Sequence, residues 1–213
     1  MIGIIGGTGQ EGRGLGLRLA MAGKRVVLGS RDPARGRAAA DDVLSRVPGL
    51  PVTGGSNGDA AESDIVLVCV PYEGQRETLT YLEHRLAGKL VVTTVVPISF
   101  EKGGVRALGV PEGSAAMQAQ AILPKSRVAS AFHTISSSEL IKPDASIDGD
   151  VVVFADNQGD RKQVMALAEK VQGVRAVDGG GLAYAVHMEG LVALLIGINR
   201  RYKAHTGIRV TGI

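Results

Sequence analysis

The sequence predicts an α/β fold, a doubly wound, mostly parallel sheet carrying a C-terminal helical appendage. Three observations lead there. Short apolar runs alternate with helix-like segments along most of the 213 residues. The first run passes directly into a glycine cluster and then into the helical spacing of Leu15 and Leu19. The runs are continuous in Val, Ile and Leu without polar alternation, which suits strands covered on both faces.

Taken in order, Ile2 to Ile5 is the first strand, and the helix behind the glycines stops at Gly23. Arg25 to Leu28 is a second short run rich in β-branched residues, and Pro33 in a first turn opens a helix that ends near Pro48. Further strands are expected at Ile65 to Val70, Leu90 to Val96, Arg127 to Phe132, Val151 to Phe154 and Val174 to Val177. Gly181 to His205 reads as one long helix, apolar to about Ile198 and then basic at Arg200, Arg201 and Lys203, where cations suit the helix dipole. The expected organisation is a sheet domain over residues 1–180 with a helix and tail over 181–213.

Composition narrows the classes. A chain of this size buries roughly 70% of its unfolded surface, so it needs neither disulfide nor structural metal. The single Cys69 cannot pair internally, and Met1 is not followed by a charged-then-apolar leader, so a reducing, cytoplasmic compartment is expected. The longest apolar stretch, Leu182 to Ile198, is broken by His187 and Glu189 and reads as too short and too polar for a membrane span. A net charge of +3, four Tyr, three Phe and no Trp disfavour nucleic-acid binding. No nucleophile triad is evident, and His84, His133, His187 and His205 form no cluster of metal ligands. Cys69, within an apolar run, reads as a small core residue, and His187 and His205 as surface or packing residues.

Gly7-Thr8-Gly9-Gln10-Glu11-Gly12 fits G-x-G-x-x-G directly after the first strand and at the opening of the first helix. In that context the glycines allow a tight turn and close backbone approach, so a pyrophosphate can rest on free N–H groups at the positive helix end. The bland alternative is a glycine-rich turn without a ligand. The architecture is then Rossmann-like, and the end of the second strand selects the dinucleotide. An acid there would accept bonds from ribose hydroxyls, but this chain has Gly29-Ser30-Arg31, with Arg35 one turn further on. A hydroxyl and two guanidinium groups suit a 2′-phosphate, which predicts NADP, unless both arginines are ordinary solvated charges. Asp32 fits either beside that phosphate or in the first turn of the Pro33 helix. Val70-Pro71-Tyr72 and Val95-Val96-Pro97 end two candidate strands at the carboxyl edge, where each Pro either lines the ligand site or simply stops its strand. His133 follows the Arg127 to Phe132 run and is either a ligand contact or a capped strand-end histidine.

With these residues in view, the chain resembles, nearly end to end, the NADPH-dependent reductases of coenzyme F420, an 8-hydroxy-5-deazaflavin. The resemblance is carried by Gly6-Gly7-Thr8-Gly9, Gly29-Ser30-Arg31, Val70-Pro71, Val96-Pro97 and Ala131-Phe132-His133-Thr134-Ile135. It implies that Thr8, Gly9, Gln10 and Glu11 cradle the pyrophosphate region of NADP, that Ser30, Arg31 and Arg35 take the 2′-phosphate, and that Val70, Pro71, Val96 and Pro97 line the nicotinamide half. It further implies that His133, Thr134 and Ile135 meet the deazaflavin, that the tail around Thr206-Gly207 closes over it, and that the chain works as a homo-oligomer, a dimer.

The activity implied is direct hydride transfer between NADP(H) and coenzyme F420, two diffusible carriers, with positioning of the rings rather than covalent catalysis supplying the rate. A basic cluster of Arg200, Arg201, Lys203 and Arg209 is either a site for the deazaflavin's anionic tail or a solvated helix end. Two other functions are weighed. An NADP-dependent imine or small-ketone reductase of the β-hydroxyacid dehydrogenase or pyrroline-carboxylate reductase type would need a catalytic Lys followed by Asn, whereas here Asn199 precedes Lys203. A non-catalytic NADP-sensing module would need no cleft for a second ligand.

Overall fold

A computed structural model describes residues 1–213. The chain runs β1 (Ile2–Ile5), α1 (Gln10–Met21), β2 (Val26–Ser30), α2 (Pro33–Arg46), β3 (Val52–Ser56), α3 (Asn57–Ala61), β4 (Ile65–Val68), α4 (Tyr72–Leu86) and β5 (Leu90–Thr93). It continues through β6 (Ile98–Glu101), β7 (Gly104–Ala107), α5 (Ala115–Ile122), β8 (Arg127–Ser130), α6 (Ser137–Leu140), β9 (Gly149–Ala155), α7 (Gln158–Ala168), β10 (Val174–Gly180) and α8 (Ala185–Tyr202).

Eight strands form one sheet in the order β10-β9-β8-β5-β4-β1-β2-β3. The order reverses between β1 and β4, so β1 is flanked by both β2 and β4 in parallel register, and the first crevice lies above that point. All pairs are parallel except β8 with β9, joined only at Ala129/Ala155 and Ser130/Phe154. The last two strands therefore run against the other six, and the amino end of β9 reaches the same edge as the carboxyl end of β8.

Alternate strand residues serve two cores. Ile2, Ile4 and Leu67 pack with Leu15 and Leu19 of α1 on one face, while Ile5, Val66 and Val68 pack with Leu79, Leu82 and Leu86 of α4 on the other. Full burial of β1, β5 and β9 explains why their sequences show no polar alternation.

The structure departs from the sequence expectations in identifiable ways. No strand was expected at residues 52–56, yet they form β3: a Cβ at Gly54 would sit 2.0 Å from the Gly36 carbonyl oxygen of α2, so only glycine lets that helix lie on the strand. The β6–β7 hairpin, a separate two-stranded sheet, also escapes the pattern. Strands β4, β5 and β8 stop at Val68, Thr93 and Ser130, short of the expected ends; the apolar residues beyond β4 and β5 become cavity wall, while Ala131 and Phe132 beyond β8 stay in the core.

The expected helix over Gly181 to His205 is a short 3-10 turn at Leu182–Tyr184 followed by α8, which ends where Lys203 turns left-handed at φ 51°. By length and composition alone, Leu182–Tyr202 suffices to cross a membrane, with mean hydropathy 1.5, contrary to the expectation from the shorter run. It is nevertheless tied to this fold: the buried Glu189 carboxylate accepts bonds from the Ala115 and Ala116 N–H groups at 2.8 and 3.0 Å, capping α5 from outside.

Candidate active site

The glycine loop is shaped by its backbone. Gly6 takes φ +72°, and a Cβ on Gly12 would come within 2.7 Å of the Gly7 Cα, so the first turn of α1 presses onto the loop. Gly6 donates its N–H to Asn57 Oδ1 at 3.1 Å, and Gly7 donates to the Gly29 carbonyl at 2.8 Å. No side chain caps α1 at Gly9, which leaves its first N–H groups for an external acceptor.

At the end of β2, Ser30 is buried and its hydroxyl accepts from the Asp32 N–H at 3.3 Å. The Asp32 carboxylate caps α2, accepting from the Ala34 N–H at 2.9 Å, so this acid is committed to the helix. Ser30 and Arg31 line a cavity of about 320 Å³ together with Asn57, Tyr81 and Arg85. Arg35 is exposed on α2 and borders neither this cavity nor the larger one. Arg85, from α4, was not legible as a neighbour, because nothing in its helix links it to β2.

A cavity of about 940 Å³ opens on the other side of the crevice. It gathers Gly9, Gln10, Glu11, Val70, Pro71, Val96, His133, Thr134, Ile135 and Thr206 from the residues singled out in the sequence. Thr8, Pro97 and Gly207 lie outside its wall. Pro97 instead accepts the Leu108 N–H at 2.8 Å, closing the base of the β6–β7 hairpin, and Gly207 packs 3.5 Å, measured from an added Cβ, from the Thr134 carbonyl. The hairpin contributes Ile98, Ser99 and Phe100 to the wall, none of them anticipated. Exposed Phe100 carries the Arg200 guanidinium 5.8 Å above its ring centre, a cation–π contact.

His133 owes its place to a strained residue. Phe132, fully buried, adopts φ 70°, a conformation rare for a bulky side chain, and so turns the chain sharply just beyond β8. The imidazole then folds back to meet Ser130 Oγ at 2.8 Å through Nε2, while Nδ1 is buried without a partner. Burial holds its pKa down to about 4, so the ring is neutral. An orphaned ring nitrogen on a cavity wall fits a ligand with a complementary polar edge.

Glu11 and Cys69 share the cavity wall with Thr94. Burial pushes the Glu11 carboxyl up to about 7, against a smaller opposing effect of the nearby Thr94 hydroxyl. Burial, and then the neighbouring Glu11, push the Cys69 thiol well up. Cys69 packs against the core yet is only half-buried, so the expectation of a plain core residue holds on one side of it alone. His205 was expected to be a surface or packing residue. It is exposed, but it borders the cavity and reaches Ser138 Oγ at 3.0 Å.

The tail is docked by side chains from three elements. Asn199 Oδ1 accepts both the N–H and the hydroxyl of Thr206 at 2.7 Å. Asp150, fully buried at the start of β9, donates its N–H to the Ile208 carbonyl at 2.8 Å and accepts the Val210 N–H at 2.6 Å. Its carboxylate pairs with Arg175 at 2.6 Å and Arg209 at 3.1 Å, and these bonds hold its pKa down to about 2. Arg209 also pairs with Asp148, which removes it from the basic cluster as a free anion site.

Fold and crevice together define an oxidoreductase of the doubly wound, dinucleotide-binding class. The family described as NADP oxidoreductase coenzyme F420-dependent matches over residues 1–97. The F420-dependent NADP reductase of Methanothermobacter thermautotrophicus is 40% identical over 221 residues, covering 100% of this chain and 95% of its own. That of Methanocaldococcus jannaschii is 38% identical over 220 residues, covering 100% and 98%. A crystal structure from Arthrobacter sp. FB24, 24% identical, shares the fold with TM-score 0.84 over 99% of both chains. The chain belongs to the family of F420-dependent NADP reductases.

Proposed function

We propose that this protein transfers a hydride directly between NADP(H) and coenzyme F420, as the names of its relatives imply. The observation that carries this is the single 940 Å³ cavity that starts at the glycine loop and ends at the docked tail. It lies near the upper end of the range of about 300–1,000 Å³ for ligand pockets, room for two ring systems rather than one.

Ser30 and Arg31, with Arg35 at longer range, hold the 2′-phosphate. Thr8, Gly9 and Gln10, with the backbone N–H of Glu11, receive the pyrophosphate at the open end of α1, which leaves the Glu11 carboxylate to the cavity. Val70, Pro71, Val96 and Pro97 bound the nicotinamide half, Pro97 indirectly by anchoring the hairpin. His133, Thr134 and Ile135, with Thr206 and Gly207 from the tail, bound the deazaflavin half. The two carriers supply the redox chemistry when bound; the protein's part is to hold their rings in contact and exclude water.

A catalytic Lys–Asn pair of the imine-reductase kind has no counterpart, because Asn199 is occupied by Thr206 and exposed Lys203 stands outside the cavity. A pure sensor would not need the second half of the cleft. The decisive assay mixes protein, NADPH and oxidised deazaflavin and follows the deazaflavin absorbance. Bleaching that requires NADPH is expected, and none would overturn the proposal.

We also infer that residues 1–180 form the NADP-binding unit and residues 181–213 complete the deazaflavin cleft. The protein works as a cytoplasmic homodimer that engages neither membrane nor nucleic acid. Supporting this, α8 leaves Val186 and Leu194 exposed, 39% and 55%, with half-buried Ala193 and Ile198 near them, while Val192 and Ile196 turn to the cavity; the outer apolar residues suit a second copy.

A further inference from the structure

Within the glycine loop and first turn of α1, Glu11 is the one acidic side chain, and it lies on the wall of the larger cavity rather than on the outer surface. It has no cation partner. Arg13, two residues on, is paired with Asp42 of α2 at 2.7 Å, and Arg18 is spent on carbonyls around α6, including Leu140 at 2.9 Å. On α6, Glu139 is paired with Lys142 at 2.7 Å. The other ionisable groups on the cavity wall are Cys69 beyond β4, Tyr72 and Glu73 on α4, His133 beyond β8 and His205 in the tail. None of these is a fixed positive charge, so an ionised Glu11 has no neutralising partner until a ligand brings one.

We propose that Glu11 sets the redox preference of the bound nicotinamide: its carboxylate stabilises the cationic, oxidised ring over the neutral, reduced one. The inference rests on the reading above that the nicotinamide occupies this cavity. Chemistry makes the comparison clean. NADP+ and NADPH carry the same pyrophosphate and the same 2′-phosphate, so repulsion between those groups and Glu11, and the phosphate's own titration, cancel between the two forms. What remains is one unit of positive charge on the ring.

Burial raises the carboxyl to about 7 in the free protein, and the ratio of the two affinities changes across the interval between its pKa in the NADP+ complex and its higher pKa in the NADPH complex. Above that interval Glu11 is ionised and attracts the oxidised ring; below it the attraction is lost, while the reduced ring is indifferent throughout. In a partly solvated site an attraction between two such opposite charges is worth about tenfold or more in relative affinity. Bound NADPH thus becomes a stronger hydride donor as Glu11 ionises.

Calorimetric titration of the protein with NADP+ and, separately, NADPH between about pH 6 and about pH 8.5 tests this without turnover. The ratio of the NADPH to the NADP+ dissociation constant is expected to rise about tenfold across that span in the wild type. It should stay flat in Glu11→Gln, which keeps the shape of the side chain. A flat ratio in the wild type, or an equal rise in Glu11→Gln, overturns the assignment, and the second result hands the effect to Glu73 or His205. If neither dinucleotide binds, the reading of the cavity fails too; if both bind with a flat ratio, only the role of Glu11 fails. Should the variant not fold, the same titrations of wild type in two buffers of different ionisation enthalpy decide the matter. Binding NADP+ near neutrality must release more protons, or take up fewer, than binding NADPH, and equality overturns the proposal.

Discussion

Arg31 stands at the carboxyl end of β2 with its side chain exposed beside a buried serine, and it lines the smaller cavity with Arg85. A charge-assisted bond from such a guanidinium to a phosphate is worth roughly 1.5–3 kcal/mol. Arg31→Ala is therefore expected to reduce the ratio of kcat/KM for NADPH over NADH by about tenfold or more, and an unchanged ratio would remove Arg31 from the phosphate site. His133 bears on stability as well as on binding. Its pKa is about 4 when folded against about 6.5 when unfolded, so the unfolded chain binds the proton first. The stability this contributes is fully present above about pH 6.5 and is lost as pH falls towards about 4, a change on the order of 3 kcal/mol. Denaturant unfolding of His133→Phe should show a shallower loss over that interval than the wild type. The same variant should weaken kcat/KM for the deazaflavin while leaving NADPH affinity within about twofold.

Among the elements, the tail from Thr206 to Val210 depends on one buried carboxylate. Asp150 holds it through two backbone bonds and two arginines, and its low pKa marks how strongly the folded state prefers the ion. The sign follows: this contribution is present above about pH 4, the unfolded value, and disappears as pH drops towards 2. Asp150→Asn should lower the melting temperature at neutral pH and lose its difference from wild type in strong acid. Limited proteolysis should then cut the variant near residue 206 under conditions that spare the parent. Strands β1, β5 and β9 were legible because burial on both faces writes an unbroken apolar run into the sequence. The β6–β7 hairpin was not, since Phe100 and Glu101 are exposed and its role lies in roofing a cavity assembled from distant segments. Glycine loop and Gly29-Ser30-Arg31 were readable for a different reason: a tight backbone turn at a strand end has fixed local spacing. The positions of His205, Arg85 and Glu189 arise from packing between segments far apart in the chain, which periodicity does not record.

At the level of the whole molecule, α8 presents a half-uncovered apolar face while Glu189 fastens its opposite side to α5. Light scattering is expected to give twice the mass of the 22.1 kDa chain. Leu194→Lys, at an exposed site, should give the monomer without loss of the folded circular dichroism signal, and a monomeric parent would refute pairing through this face. The antiparallel step between β8 and β9 has a wider meaning for how the cleft comes into being. Because the last strands run backwards, residues 206–210 return to the rim laid down by residues 6–12. A chain still emerging from the ribosome lays down residues 6–12 early, but the wall at Thr206 forms only once residues 206–210 have been made and seated against Asp150, so the cavity stays open on that side until then.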